Sequence, residues 1–183
     1  MTRRVLTLAV IGSMVAGAAP AAGAVVDARA GTVGPVGLND RARHVVAALG
    51  PGRITPQGPI YPTAERAKTT TAPGSFRVPG KPSPNIEPRF LRYRRESVGL
   101  VRGRVFVVIS TDRHTRLRGG PGMGDALAGA RARFPGLACR TAGDAHGSET
   151  FRYCAGRVAS HRYLYLGGDP ISSVAIATVP LYP

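Results

Sequence analysis

The sequence predicts an α+β fold: an antiparallel sheet of five or six strands, one short helix packed on one of its faces, and one disulfide. Three observations point there. In residues 98–110 two apolar runs, Val98, Leu100, Val101 and then Val105 to Ile109, flank Arg102-Gly103-Arg104, the pattern of two strands about a turn. A glycine cluster follows, Gly119, Gly120, Gly122 and Gly124 around Pro121, too dense for either a strand or a helix, and an amphipathic stretch begins after it. Beyond that stretch come four short strand candidates separated by glycine-bearing turns, with Cys139 and Cys154 among them.

The helix is expected to open near Asp125, a good N-cap or first-turn anion, and to end at Pro135-Gly136. Met123, Leu127, Ala130 and Phe134 recur at helical spacing, and Arg131 and Arg133 sit where the macrodipole favours cations. A helix of about ten residues is marginal alone in water, so Leu127 and Phe134 must lie on an apolar floor. The neighbouring valine-rich hairpin is the nearest one. The later strands are expected over residues 138–140, 150–155, 161–166 and 171–179, with Gly167-Gly168-Asp169-Pro170 as the clearest turn and Val174 and Ile176 as a buried pair. A domain of about 95 residues has a thin core. An even cysteine pair in an exported chain reads as a disulfide, and closing a loop of about fifteen residues stabilises by about 3 kcal/mol on the chain-entropy model.

Residues 1–24 read as an export signal. Arg3 and Arg4 form the positive start, residues 5–19 are apolar and small, and Ala22-Gly23-Ala24 is an A-x-A-like site that places the cut after Ala24. The apolar run is about fifteen residues, short of the roughly twenty that a membrane span needs. Residues 25–88 read as a spacer rich in Pro, Gly and Thr, interrupted by one short helix over 39–49 whose stripe is Ala42, Val45, Val46 and Leu49. Large apolar residues are scarce from 51 to 88, so nothing there offsets the entropy of ordering. The folded domain is therefore expected over 89–183.

Strands, then Gly-x-Gly-Asp opening a short helix that ends at Phe-Pro-Gly, then a cysteine pair and a closing Gly-Gly-Asp-Pro-Ile turn together resemble a group of small secreted actinobacterial proteins. The glycine-then-helix unit is more distantly similar to the repeat of the β-lactamase inhibitory protein and of the small lipoproteins of outer-membrane assembly. The resemblance covers residues 95–180 and implies a small exported α+β domain. The chain carries one such unit where those families carry a tandem pair, and it has no lipid-attachment cysteine, so no contact residue is transferred.

Charge gives the functional lead. The chain has 25 Lys+Arg against 10 Asp+Glu, a net charge of +15, and all its basic residues except Lys68 and Lys81 are arginine. Such an imbalance implies attraction to polyanions and says nothing about fold. The densest basic run, Arg89 to Arg95, with Arg102 and Arg104 after it, makes Arg92, Arg94, Arg95, Arg102 and Arg104 the candidate anion-binding residues. Phe90 and Tyr93 are the rings that would stack on a ligand. The glycine cluster is neither G-x-G-x-x-G nor a P-loop, and no lysine follows it, which argues against a nucleotide. No cofactor motif is present. Asp144, His146 and Glu149 form a D-x-H-x-x-E run able to offer metal ligands. With Asp112 and His114 they are also the residues that a small extracellular hydrolase or metal-dependent enzyme would use, the alternative reading. No catalytic set accompanies them. The leading expectation is a secreted, monomeric, non-catalytic binding module at the cell envelope, with a protein or an anionic wall polymer as partner; an external location disfavours nucleic acid.

Overall fold

Single inward-facing valines build the amino-terminal part of the fold, which the computed structural model describes for residues 23–55, 60–61, 76–77, 89–143 and 150–181. In β1 (Val25–Asp27), β2 (Thr32–Val33) and β3 (Val36–Gly37), the residues Val26, Val33 and Val36 are buried. Helix α1 (Ala42–Leu49) follows, with Val45 inward, and then β4 (Arg53–Thr55), β5 (Ile60–Tyr61) and β6 (Phe76–Arg77). The next strands are β7 (Arg89–Arg92), β8 (Glu96–Val101), β9 (Arg104–Ser110) and β10 (Arg116–Leu117). Helix α2 (Ala128–Arg133) precedes β11 (Ala138–Gly143), β12 (Thr150–Ala159), β13 (Arg162–Gly167) and β14 (Ser173–Ala177).

These elements make a mostly-β molecule, which corrects the expected α+β class. A four-stranded sheet has the order β10-β1-β2-β3, and an eight-stranded antiparallel sheet has the order β11-β12-β13-β14-β9-β8-β7-β4. β5 and β6 pair with each other. The expected five or six strands with one helix undercounts because strands also come from residues 25–55, read as spacer and short helix. Strands of two or three residues with one buried valine each are too short for a period-2 pattern to register. The expected leader as far as residue 22, and the expected spacer across 56–59, 62–75 and 78–88, lie outside the described residues.

The β8–β9 turn narrows to Arg102-Gly103, both at positive φ (50° and 72°). β8 and β9 slip register between Gly99 and Leu100, and the extra residue is Phe106. The bulge lets Phe106 and Val107 share one face. Gly99 has no room for a side chain, since a Cβ there would lie 2.5 Å from Val107 Cγ1 and 2.8 Å from the Phe90 ring.

The eight-stranded sheet is buried on both faces. Alternation sends Val98, Leu100, Val105, Val108, Leu164, Leu166, Val174 and Ile176 into one cluster. That cluster also takes in Val26, Val33 and Val36 of the small sheet, Val45 of α1, and Leu127, Ala130 and Phe134 around α2. The other face carries Phe90, Val107, Ile109, Tyr153, Tyr165 and Ala175, with Leu181 over it. Tyr153 and Tyr165 stack at 5.6 Å between ring centroids, and Phe90 meets Phe106 edge-on at 6.0 Å. Burial pushes the Tyr165 hydroxyl above its ordinary pKa.

Leu127 and Phe134 face the core, but the helix between them starts differently from expectation. The Asp125 carboxylate accepts the Gly122 N–H at 2.7 Å and so closes a turn instead of capping α2. Leu127 holds the N-cap place, and its N–H donates to Asp169 Oδ1 at 3.1 Å. The cap therefore comes from the β13–β14 turn, and Asp169 also pairs with Arg152 of β12. A disulfide joins Cys139 and Cys154, which stand directly opposite each other in β11 and β12, and it ties the outer strand to the sheet.

Two stability outcomes follow. Asp169→Ala removes a helix cap and an ion pair together and is expected to lower stability by about 1–2 kcal/mol, read by denaturant unfolding. At the other end, Ala24 packs on the first cluster and its carbonyl accepts the Arg116 N–H at 3.1 Å, so a boundary after Ala24 falls inside these contacts. A chain beginning at Val25 is expected to melt below one beginning at Ala22 in calorimetry.

Candidate anion-binding surface

The five arginines singled out from the sequence fall into two groups at opposite ends of β8. Arg92 closes β7, and Arg94 and Arg95 lie in the turn that leads to β8; Arg102 lies in the β8–β9 turn and Arg104 opens β9. All five are exposed. Arg92 stands at the level of Ser97 and Arg104 at the level of Val101, so the groups are about 13 Å apart along the strand at ~3.3 Å per residue. Arg95 is already engaged, because its guanidinium donates to Asp112 Oδ1 at 2.8 Å.

Register adds two arginines that the sequence did not single out. Arg53 of β4 is the direct partner of Arg92, and Arg41, just before α1, is the direct partner of Arg104 through an isolated bridge. Cross-strand partners share a face, so each pair roots two arginine side chains at adjacent positions of one surface. Like charges directly opposite each other are destabilising, to a degree that solvent and salt screen at exposed positions. No described carboxylate relieves either pair. Asp27 accepts the Ala30 N–H and pairs with Arg118 at 3.3 Å; Asp40 accepts the Gly37 N–H at 2.7 Å. Asp112, Asp125 and Asp169 are held as described above. Among the described residues Asp27, Asp40, Asp112, Asp125 and Asp169 thus serve turns, a cap and three arginines, and Glu96 accepts the Arg95 main-chain N–H, while Arg41, Arg53, Arg92, Arg94, Arg102 and Arg104 stay exposed.

Of the expected stacking rings, Phe90 is withdrawn into the core, whereas Tyr93 is half-buried. Phe90 is fully buried against Phe106, and Tyr93 donates its hydroxyl hydrogen to the Gly50 carbonyl at 3.1 Å. Nor does the described part of the fold assemble the residues of the enzymatic alternative. The Asp112 carboxylate accepts the main-chain N–H of His114 at 3.3 Å, while the His114 ring accepts from Arg113 Nε at 3.0 Å. An open cleft of about 650 Å³ between the glycine cluster and α2 is lined by Gly119, Pro121, Asp125, Gly129 and Arg133, away from both Asp112 and His114. Asp144, His146 and Glu149 lie outside the described residues. Among those described, no group of three or more His, Cys, Asp or Glu side chains could hold a metal.

Comparison with protein-family models, with curated proteins and with solved structures finds no match to this chain.

Two carboxyls near Arg95 are displaced in opposite directions. Burial raises the pKa of Glu96, the neighbouring negative Asp112 raises it further, and the positive charge and N–H of Arg95 oppose this. For Asp112 burial alone acts upward, but the His114 N–H and the Arg95 guanidinium outweigh it and hold the carboxyl below its ordinary range. A carboxyl whose proton is held more tightly in the fold than in the unfolded chain opposes folding once ionised; its favourable contribution exists at low pH and is lost as pH rises through the folded value. Glu96→Gln is therefore expected to raise the melting temperature at neutral pH, with the gain closing as the solution is acidified toward about pH 4. Thermal unfolding across pH reads both arms.

Proposed function

We propose that this chain is an exported, non-catalytic module that binds an anionic polymer at the cell envelope. The observation that carries the reading is the unequal use of charge: described carboxylates are engaged internally, while arginines stand exposed and, in Arg53/Arg92 and Arg41/Arg104, directly opposed. Guanidinium groups hold a fixed fork of donors that suits phosphate and carboxylate oxygens. An extended polyanion can satisfy several such groups at once, which a single small anion cannot. The Cys139–Cys154 disulfide is the kind of bond that persists in oxidising surroundings, in keeping with export. No helix among the described residues is long and apolar enough to cross a membrane.

Retention on an immobilised anionic wall polymer, with heparin as a second matrix, tests the reading across a sodium chloride series. The salt needed for elution should be well above that for a neutral protein and should fall when Arg92 and Arg94 are both changed to Ala, because exposed charge pairing is screened by salt. Retention that ignores salt, or its absence at low salt, overturns the proposal.

A further inference from the structure

We infer that Arg41, Arg102 and Arg104 form a clamp for a phosphate group at the β8–β9 turn. The inference rests on the polyanion reading above and names the group that one end of the surface takes. Three main-chain bonds fix the geometry. The Val105 N–H donates to the Asp40 carbonyl at 2.9 Å, the Ala42 N–H to the Gly103 carbonyl at 2.9 Å, and the Asn39 N–H to the Val105 carbonyl at 2.8 Å. Together they hold Arg41 and Arg104 as a non-hydrogen-bonded antiparallel pair, the closer of the two kinds, with Cβ atoms about 4.5–5.5 Å apart. An Arg104 Nη donates to the Asn39 carbonyl at 3.1 Å, which restrains that guanidinium and leaves its other donors open.

Two unfavourable electrostatic arrangements meet at this point. The first is the opposed pair itself. The second is at α1, where Arg41 occupies the N-cap position, Arg43 lies in the first turn, and the first turn itself holds no acidic residue to set against the positive end of the helix dipole. Asp40 is adjacent in sequence, yet its carboxylate faces the Gly37 N–H and His44. Arg102 adds a third guanidinium at a backbone φ of 50°, where side chains larger than Asn or Asp are uncommon. An anion between Arg41 and Arg104 relieves both arrangements. A carboxylate carries one charge on two coplanar oxygens that two forks would have to share; a tetrahedral phosphate carries more charge and presents a separate pair of oxygens to each of two forks approaching from opposite strands. Phosphate is therefore the class that this pairing selects.

The test is thermal unfolding of the whole chain with inorganic tripolyphosphate, against sodium chloride at equal ionic strength, for wild type, Arg41→Gln, Arg104→Gln and a distant control, Arg157→Gln. Without added phosphate the two clamp variants should melt at or above the wild type. Tripolyphosphate should raise the wild-type and Arg157→Gln melting temperatures by several degrees beyond the chloride effect, and each clamp variant should lose most of that increment. The dissociation constant measured by calorimetry should weaken roughly tenfold in either clamp variant. A parallel titration with poly(glycerol phosphate) separates polymer-borne from free phosphate, since tighter binding of the polymer per phosphate assigns the clamp to a polymer. An equal shift in wild type and Arg104→Gln, or one reproduced by chloride, overturns the clamp even if the polymer column still retains the protein. Loss of column retention with the clamp-dependent shift intact overturns the polymer reading and leaves the clamp standing.

Discussion

The pairing of β14 with β9 is the seam on which the large sheet depends. On one side of it lie β11, β12 and β13, and on the other β8, β7 and β4. Val174, Ala175, Ile176 and Ala177 stand opposite Ser110, Ile109, Val108 and Val107, and every apolar member of that set is buried. Joining segments this far apart along the chain carries a loop-closure cost that grows slowly with length. Burial on both faces of the seam offsets it, because the four apolar residues of β14 divide between the two apolar clusters. The valine hairpin alone has no such two-sided partner.

Charge is organised by the same frame. Carboxylates sit where backbone donors need acceptors, at the Gly37, Gly122 and Leu127 amides, and each of those amides closes a turn or a helix start. Arg53, Arg92, Arg102 and Arg104 sit on strand ends and in a turn, where the long aliphatic stem can lie on the protein and the head remain in water. The opposition of Arg53 to Arg92 and of Arg41 to Arg104 follows from strand register, so these pairs are as fixed as the hydrogen-bond ladder that sets them. Surface electrostatics in this molecule is thus a consequence of sheet topology more than of local composition.

Local pattern made part of this legible. The β8–β9 hairpin, the inward Leu127 and Phe134 and the cysteine pair each depend on residues close in sequence or on a simple count, and they are where their patterns place them. The four-stranded sheet was not legible, because Val26, Val33 and Val36 are single buried residues between glycine turns and resemble a loop until another sheet covers them. Asp125 had the right residue type for a cap, but Asp169 does the capping from forty-two positions away. Local preference cannot anticipate a tertiary donor–acceptor match. Arg41 and Arg53 were invisible for the same reason: nothing in their own neighbourhoods marks them, and only long-range register puts them beside Arg104 and Arg92. Phe90 failed the other way, since an aromatic in a basic run looks available until strand alternation turns it into the core.

The central place of β14 has a consequence for synthesis. A strand made of residues 173–177 is the last of the described strands to leave the ribosome, yet it is the middle of the finished sheet. Without it the finished order falls into two half-sheets, one with an unpaired edge at β13 and one with an unpaired edge at β9. Residues 173–177 are thus the keystone of the sheet, and a chain cut short of them would offer two raw strand edges to any neighbour.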